Sequence, residues 1–365
     1  MDSTTSSLDF AVLGHQDSWQ NISDFINGIR TSNEGELTNE KIKEIFSFIP
    51  PRTLFKMTVR SKTGAEIKGT YIETFIEPDK LDSSFLRINI AKVRNAVSCA
   101  KKTKAKIATL GGFTSIVLEG NLDSFSVGET KFTTGNTLTA ALIVKGIEKA
   151  ANDRNINLKE SSVLIVGATG DIGIACTNFL KTRTKKLLLS ARNFQRLKKL
   201  ADELINNGQQ VIYSVNIQDL IPEADIIICV ASSTGIQLSN LKKGVVICDA
   251  GYPKNLENKI EHTEGVHLFH GGMGQISYGY DLEPDYSATF YRYAAPNIVH
   301  GCILEAIVLA FENKFESYSA GKGNITSDRM EEIYNLSLKH GIGLAPFYNA
   351  QGLWSQDQII EKSFI

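Results

Sequence analysis

The stretch Gly167-Ala168-Thr169-Gly170-Asp171-Ile172-Gly173 constrains this chain more than any other. It follows the apolar run SVLIV (162–166) and opens an amphipathic segment, so it reads as a strand–turn–helix unit. Glycines at this spacing permit a tight turn and close backbone approach. The helix start then offers free N–H groups and a partial positive charge to a pyrophosphate. The G-x-x-G-x-x-G spacing is a variant of the dinucleotide fingerprint, and its surroundings decide its meaning. Short apolar runs recur at 186–190, 211–215, 224–232, 245–251 and 267–272, separated by amphipathic segments. Such runs suit strands covered on both faces, as in a parallel sheet. The alternation predicts an α/β fold with a Rossmann-like doubly wound parallel sheet. Gly167, Ala168, Thr169, Gly170, Asp171 and Ile172 are then the expected pyrophosphate cradle.

The end of the second strand selects the cofactor. An NAD site would carry Asp or Glu about 20 residues beyond the glycines, to accept from the ribose 2′-hydroxyl. Here the segment is Leu189-Ser190-Ala191-Arg192-Asn193, with Arg196 nearby. No acid stands there to repel a 2′-phosphate, and a guanidinium binds phosphate through a two-pronged fork. Ser190 and Arg192 therefore predict NADPH. Ala231-Ser232 and Gly251 end later strands, and the carboxyl ends of such strands border the ligand crevice, so these residues are expected beside the nicotinamide.

Around this domain the chain divides into three parts: an N-terminal α/β unit (1–133), the dinucleotide unit (134–295) and a C-terminal helical segment (296–365). Residues 1–9 read as disordered and Phe10–Leu13 as a short strand. Helices are expected from Asp17/Ser18 to Ile29, over 38–48 and over 85–100. Phe55, Met57 and Val59 alternate with polar residues ahead of Ser61-Lys62-Thr63-Gly64, which predicts a hairpin over 54–76. A strand is expected over 107–110 and a helix over 134–152. Pro296 suits a first helical position, which predicts a helix over 296–313. Another follows over 327–340 with Ser327/Asp328 as caps.

Lys plus Arg number 39 against 40 Asp plus Glu, which argues against a nucleic-acid binder held by general phosphate attraction. No apolar run is long enough to span a bilayer, and the first residues lack the pattern of a secretory signal. Five scattered cysteines without a C-x-x-C pair predict a reduced, cytoplasmic protein.

Candidate catalytic groups are few. Tyr318 and Lys322 stand four apart, as in short-chain dehydrogenases, but the Ser-Ala-Gly spacer is a poor helix and the pair reads as chance spacing. His262, His267 and His270 lack zinc-ligand partners at suitable spacing, so no metal is expected. Cys176, Cys229 and Cys248 fall in apolar elements and read as buried small hydrophobes, and Cys99 as structural. Cys302, in His300-Gly301-Cys302-Ile303-Leu304-Glu305, is the one cysteine outside those settings.

The segments GHQDSWQ, GTYIETFIEP (69–78), GGFTSIVLEG (111–120), KFTTGNTLTA (131–140), VGATGDIG (166–173), LLLSARN (187–193) and DAGYPKNL (249–256) resemble the long-chain acyl-[acyl-carrier-protein] reductases. The resemblance runs in order over about residues 10–345. It implies that Cys302 is the nucleophile, followed by Glu305 as in the family, and that a long-chain acyl thioester is reduced to a fatty aldehyde with NADPH. The acyl donor would be acyl carrier protein or acyl-CoA. The aldehyde would pass to an aldehyde-deformylating oxygenase in alkane formation. His300 departs from the family's apolar or aromatic residue, and the chain runs about 20 residues beyond the usual end. A Pro296 helix start would leave Cys302 almost two turns inside, beyond reach of the helix dipole. His300, Thr114-Ser115 and Thr134-Asn136 are the candidate activating groups, and the sequence assigns no oxyanion donor. Lys101, Lys102, Lys104 and Lys106 form either a rim for an acidic carrier or a solvated helix end. Two other readings keep the fold: a shikimate-dehydrogenase-like reductase that transfers hydride directly, and a non-catalytic NADPH-binding scaffold.

Overall fold

A computed structural model describes residues 7–30, 35–81, 83–118, 128–256, 265–288, 290 and 292–354. Residues 1–6 of the expected disordered start, His262, and the tail beyond 354 lie outside them. The N-terminal part runs β1 (Phe10–Gly14), α1 (Trp19–Gly28), α2 (Asn39–Phe48), β2 (Arg52–Arg60), β3 (Glu66–Glu73), α3 (Leu86–Lys102), β4 (Ile107–Leu110), α4 (Phe113–Val117) and β5 (Lys131–Thr133), and α5 (Asn136–Asp153) leads from it into the next part. Ser18 and Thr38 cap α1 and α2 by accepting from Asn21 N–H and Lys41 N–H. The hairpin turn is locked where Ser61 Oγ accepts from Thr63 N–H at 3.0 Å.

The dinucleotide part runs β6 (Ser162–Val166), α6 (Asp171–Leu180), β7 (Lys186–Ser190), α7 (Phe194–Asn206), β8 (Val211–Tyr213), β9 (Ile226–Cys229), β10 (Val245–Asp249) and β11 (Val266–His270). Its strands are all parallel, in the order β11-β10-β9-β6-β7-β8. Read from the first strand of the unit this is 3-2-1-4-5-6, the Rossmann order, with its switch point between β6 and β9. The inner strands β6, β9 and β10 are buried along their whole length on both faces, as their uninterrupted apolar runs require.

The remaining elements are β12 (Met273–Ile276), β13 (Tyr280–Glu283), β14 (Ile298–His300), α8 (Gly301–Phe311), α9 (Ser327–Lys339) and β15 (Ile342–Leu344). Two of them break the linear division into parts. β13, inside the 134–295 stretch, adds to the first sheet by pairing with β2, so that sheet reads β13-β2-β3-β1-β4-β5. β12 gathers β14 and β15 into a small sheet.

The helix expected from Pro296 starts later. Residues 298–300 are instead drawn into the ladder with β12, where His300 faces Met273, and helical geometry begins only at Gly301. The cap of α9 is also shifted: Thr326, not Ser327 or Asp328, accepts from Arg329 N–H. α8 is buried almost throughout. It packs on β1 and β4 of the first sheet, while its partner α5 packs on α6 and β10 of the second. The α5–α8 pair is thus the seam between the two sheets. Each fully buried Ile, Leu or Val on it contributes about 1.5–3 kcal/mol to holding them together.

Candidate active site

One cavity of about 770 Å³ opens along this seam, at the carboxyl ends of β6, β7, β9 and β10. Gly167, Thr169, Gly170, Asp171, Ile172, Ser190, Arg192, Ala231, Ser232, Gly251 and Cys302 all line it. Ala168 alone among the expected residues does not. Its methyl is buried in the main core and its N–H already donates to Ser190 O at 3.1 Å, so it supports the turn without facing the cavity.

The glycine turn is a cradle in a literal sense. A Cβ on Gly173 would lie 2.2 Å from Gly167 O, and one on Gly167 (φ 93°) 2.8 Å from the Ala231 backbone. The residues present therefore fit a dinucleotide: backbone stands where side chains would obstruct, and the α6 N-terminus points into the cavity. Asp171 lines the cavity with its carboxylate engaged. Asn136 Nδ2–H (2.9 Å) and Gly323 N–H (3.0 Å) donate to it, tying α6 to α5 and to the 320s loop. Arg192 and Arg196 both reach the rim, and an Arg192 guanidinium N–H donates to Ser232 Oγ at 2.9 Å. The DAGYPKNL segment closes on itself. Asp249 accepts from the N–H groups of Gly251, Asn255 and Leu256, and Asn255 in turn clamps both the N–H and the carbonyl of Ala231. Ala231 and Gly251 thus bound the cavity as fixed backbone.

Cys302 sits at the far side of the same cavity, in the first turn of α8 rather than two turns inside it. The helix dipole excluded by the expected Pro296 start is therefore available. The two glycine-bearing motifs converge on this residue. A Cβ on Gly111 would be 3.5 Å from the thiol Sγ, and one on Gly135 only 2.4 Å from Cys302 Cα. Thr109 Oγ1–H donates to Cys302 O at 2.8 Å. Burial pushes the thiol up to about 11, against the N–H groups of Gly112 and Ile303, which favour the thiolate.

The polar groups held open as activators point elsewhere. Thr114 and Ser115 hydroxyls donate to the carbonyls of Gly111 and Gly112, Thr134 to Ser319, and Asn136 to Asp171. His300 is no cation: burial, then neighbouring Lys254, hold its imidazole down at about 3, and Nε2 is hydrogen-bonded with the Tyr293 hydroxyl at 2.6 Å. The donors that reach the thiol are backbone N–H groups. Glu305 is a buried clamp. It accepts from Thr133 Oγ1–H (2.5 Å), Ser319 Oγ–H (3.3 Å) and Leu138 N–H (2.9 Å), pinning α8 to the start of α5.

Two cavity residues had no advance signal as a pair. His15, one residue beyond β1, is fully buried. Its Nδ1–H donates to Gln16 O at 2.9 Å, which leaves Nε2 to accept from Phe113 N–H at 2.9 Å. Burial lowers its pKa, in keeping with that neutral tautomer. The Tyr252 ring lies tilted beside it, and its hydroxyl donates to His15 O at 3.0 Å. Together they wall the turn at Gly112, where a Cβ would meet His15 Nε2 and the Tyr252 ring at 2.7 Å. The GH pair at the carboxyl end of a parallel strand was the legible hint for His15. Tyr318 and Lys322 part company: the Tyr318 hydroxyl is bonded to Lys314 and Glu332, while Lys322 lines the cavity from a non-helical loop. Cys176, Cys229 and Cys248 are fully buried, and the half-buried Cys99 thiol donates to Pro51 O.

Over most of its length the chain is similar to a known enzyme. The long-chain acyl-[acyl-carrier-protein] reductase of Synechococcus elongatus is 35% identical over 345 residues, 91% of this chain and 97% of the other. The chain belongs to the long-chain acyl-[acyl-carrier-protein] reductase family. Other likenesses of this reductase are partial. Its residues 148–270 match the shikimate/quinate 5-dehydrogenase family model, which spans the dinucleotide half and stops short of Cys302. A glutamyl-tRNA reductase from Sulfurihydrogenibium is 33% identical over 125 residues, 31% of this chain and 27% of that one. The solved shikimate 5-dehydrogenase of Listeria monocytogenes is 10% identical, covering 74% of this chain and 89% of that one. Its TM-score of 0.35 carries no weight in the assignment. No helix among the reductase's described residues is long and apolar enough to cross a membrane.

The raised thiol has a measurable sign. Only the thiolate is nucleophilic, so with a pKa near 11 the reactive fraction climbs about tenfold per pH unit through the neutral range. Iodoacetamide labelling of Cys302 in the free protein, followed by peptide mass, is expected to accelerate from pH 7 to pH 9 without levelling. A plateau by pH 8 would contradict this environment for the thiol.

Proposed function

We propose that this chain reduces a long-chain acyl thioester, carried on acyl carrier protein or CoA, to a fatty aldehyde with NADPH, through an acyl-Cys302 intermediate. The observation that carries the reading is the shared cavity: the glycine cradle at 167–173 and the Cys302 thiol open onto the same space. Cys302 sulfur attacks the thioester carbonyl, the pantetheine thiolate departs, and the Cys302 proton ends on that leaving thiol. The acyl group is now a thioester of Cys302, and one hard displacement has become two easier ones. The dinucleotide, when bound, supplies a hydride. The acyl carbon that receives it becomes a thiohemiacetal of Cys302 once its oxygen takes a proton. Collapse of that adduct frees aldehyde and returns the thiol. The N–H groups of Gly112 and Ile303 favour the Cys302 thiolate, and so favour the sulfur as nucleophile and as leaving group. Thr109 and Glu305 keep the start of α8 in register for both steps.

Arg192 and Arg196 carry the preference for the 2′-phosphate, with Ser190, Ser232 and Gly251 bounding the remainder of the dinucleotide. The reaction is placed in the cytoplasm, with an aldehyde-deformylating oxygenase as the consumer of the product. The test is aldehyde release from palmitoyl-carrier protein under NADPH. Wild type should release aldehyde. The double variant Arg192→Ala/Arg196→Ala should raise the KM for NADPH by roughly 10–100-fold, the equivalent of one to two lost charge-assisted contacts, and leave the KM for NADH almost unchanged. No aldehyde from wild type with either cofactor would overturn the reading. Equal effects on both cofactors would remove the two arginines from phosphate recognition.

A further inference from the structure

We propose that the solvent face of α3 is the docking surface for the acyl carrier protein, centred on Arg87, Ile90, Ala91 and Arg94. This rests on the reading above and supplies its partner's address. α3 carries Arg87, Lys92, Arg94, Lys101 and Lys102 and no acidic residue. Its inner face, Val93, Ala96, Val97 and Ala100, is buried against the first sheet and α4. Arg87 and Arg94, seven apart, stand on the opposite stripe with exposed Ala91 between them at helical spacing, while Ile90, partly buried against the inner cluster, borders the groove. Neither guanidinium forms an ion pair with any described residue. Lys92 is already committed to Phe75 O, and Glu77 on the preceding turn is paired with Lys80. Two free forks flank a shallow groove with a small residue at its centre. That is a seat for an acidic helix: the small residue permits close axial approach and the arginines take carboxylates on either side. The apolar neighbours Leu86 and Ile88 are 41% and 53% exposed and would be covered by the same partner.

The position suits delivery. α4 separates α3 from the cavity: Phe113 and Val117 pack on α3, while Ser115 and Ile116 line the space that holds Cys302. A carrier helix seated on α3 is therefore about two helix spacings, some 20 Å, from the cavity wall. The lysine run at 101–106 is a weaker rim. Lys106 is paired with Asp9 at 2.9 Å and lies over the Phe315 ring, and Lys104 follows the helix end.

The test pairs Arg87→Glu/Arg94→Glu with the charge-conserving Arg87→Lys/Arg94→Lys. Carrier binding is titrated directly, and KM is compared for decanoyl-carrier protein and for decanoyl-N-acetylcysteamine, which lacks the carrier. Charge reversal should weaken carrier binding and raise its KM at least roughly tenfold, with kcat and the small-thioester KM almost unchanged. The lysine variant should stay near wild type, and salt from about 0.05 to about 0.3 M should erode the wild-type advantage. Unchanged carrier binding in the charge-reversed protein, or equal loss with both thioesters, overturns the proposal. So does carrier affinity left intact while sedimentation with anionic phosphatidylglycerol vesicles is lost, which would assign the face to a membrane. Arginine-dependent carrier binding without any aldehyde would keep the docking face and remove the proposed reaction instead.

Discussion

Replacing Cys302 with alanine should abolish aldehyde formation and the covalent intermediate together, while leaving dinucleotide binding intact. In the proposed mechanism the side chain supplies the attacking sulfur, and the cavity offers no second thiol. Cys176, Cys229 and Cys248 are sealed in the core, and Cys99 faces the Pro51 carbonyl on another element. Loss of a covalent nucleophile leaves only orientation and polar stabilisation, so the expected fall in kcat is on the order of 10³-fold or more. Intact mass reads the step itself. Wild type incubated with acyl-carrier protein and no nicotinamide should gain one acyl mass, discharged when NADPH is added. Cys302→Ala should gain none. Because the truncation removes a half-buried sulfur at a helix start, folding should be little disturbed, and NADPH titration serves as the check. Activity retained in Cys302→Ala would instead favour direct hydride transfer without a cysteine nucleophile, as in the shikimate-dehydrogenase-like reading.

The parts of this architecture legible in the sequence are those with local causes. The Rossmann strands show because burial on both faces demands unbroken apolar runs, and the glycine cradle shows because no other residue tolerates that backbone approach. The hairpin at 52–73 shows through its alternation. What was missed depends on pairing between distant segments. Nothing near Pro296 reports that residues 298–300 will join β12, so the helix start was placed too early and Cys302 too deep. β13 reads as part of the dinucleotide unit, yet its partner Val59 lies more than two hundred positions away, opposite Tyr280. The residues around Cys302 were named as motifs before they could be named as a site. GGFTS and FTTGNT carry no obvious chemistry in isolation. Gly135 is required because the backbone of α8 comes to rest against it, and Gly112 because His15 and Tyr252 close on the turn there.

That close approach makes Gly135 the position whose smallest change should cost most after the cysteine. Gly135 holds φ at 77°, at the start of α5, and an alanine there would bring its Cβ to 2.4 Å from Cys302 Cα and 2.6 Å from Cys302 O. The left-handed backbone alone costs an L residue about 1–2 kcal/mol. The overlap is worse, because both neighbours are backbone or Cβ and no flexible side chain can swing aside. Relief requires α8 to slide, but Glu305 ties it to Leu138 N–H and Thr133, and Thr109 holds the Cys302 carbonyl. The thiol then shifts against the Gly111-Gly112 turn. A misplacement of about 1 Å in a reacting group costs on the order of 100-fold. Gly135→Ala should therefore acylate roughly 100-fold more slowly in the intact-mass assay, with NADPH affinity preserved, because the 167–173 cradle is untouched. Gly64→Ala separates strain from placement. Gly64 has a similar φ of 83° with nothing within 4 Å, in the hairpin turn far from the cavity. It should lose about 1–2 kcal/mol of stability in urea unfolding to the same backbone strain, and acylate at the wild-type rate. Equal acylation rates in the two variants would mean that contact between the α5 start and Cys302 does not position the nucleophile.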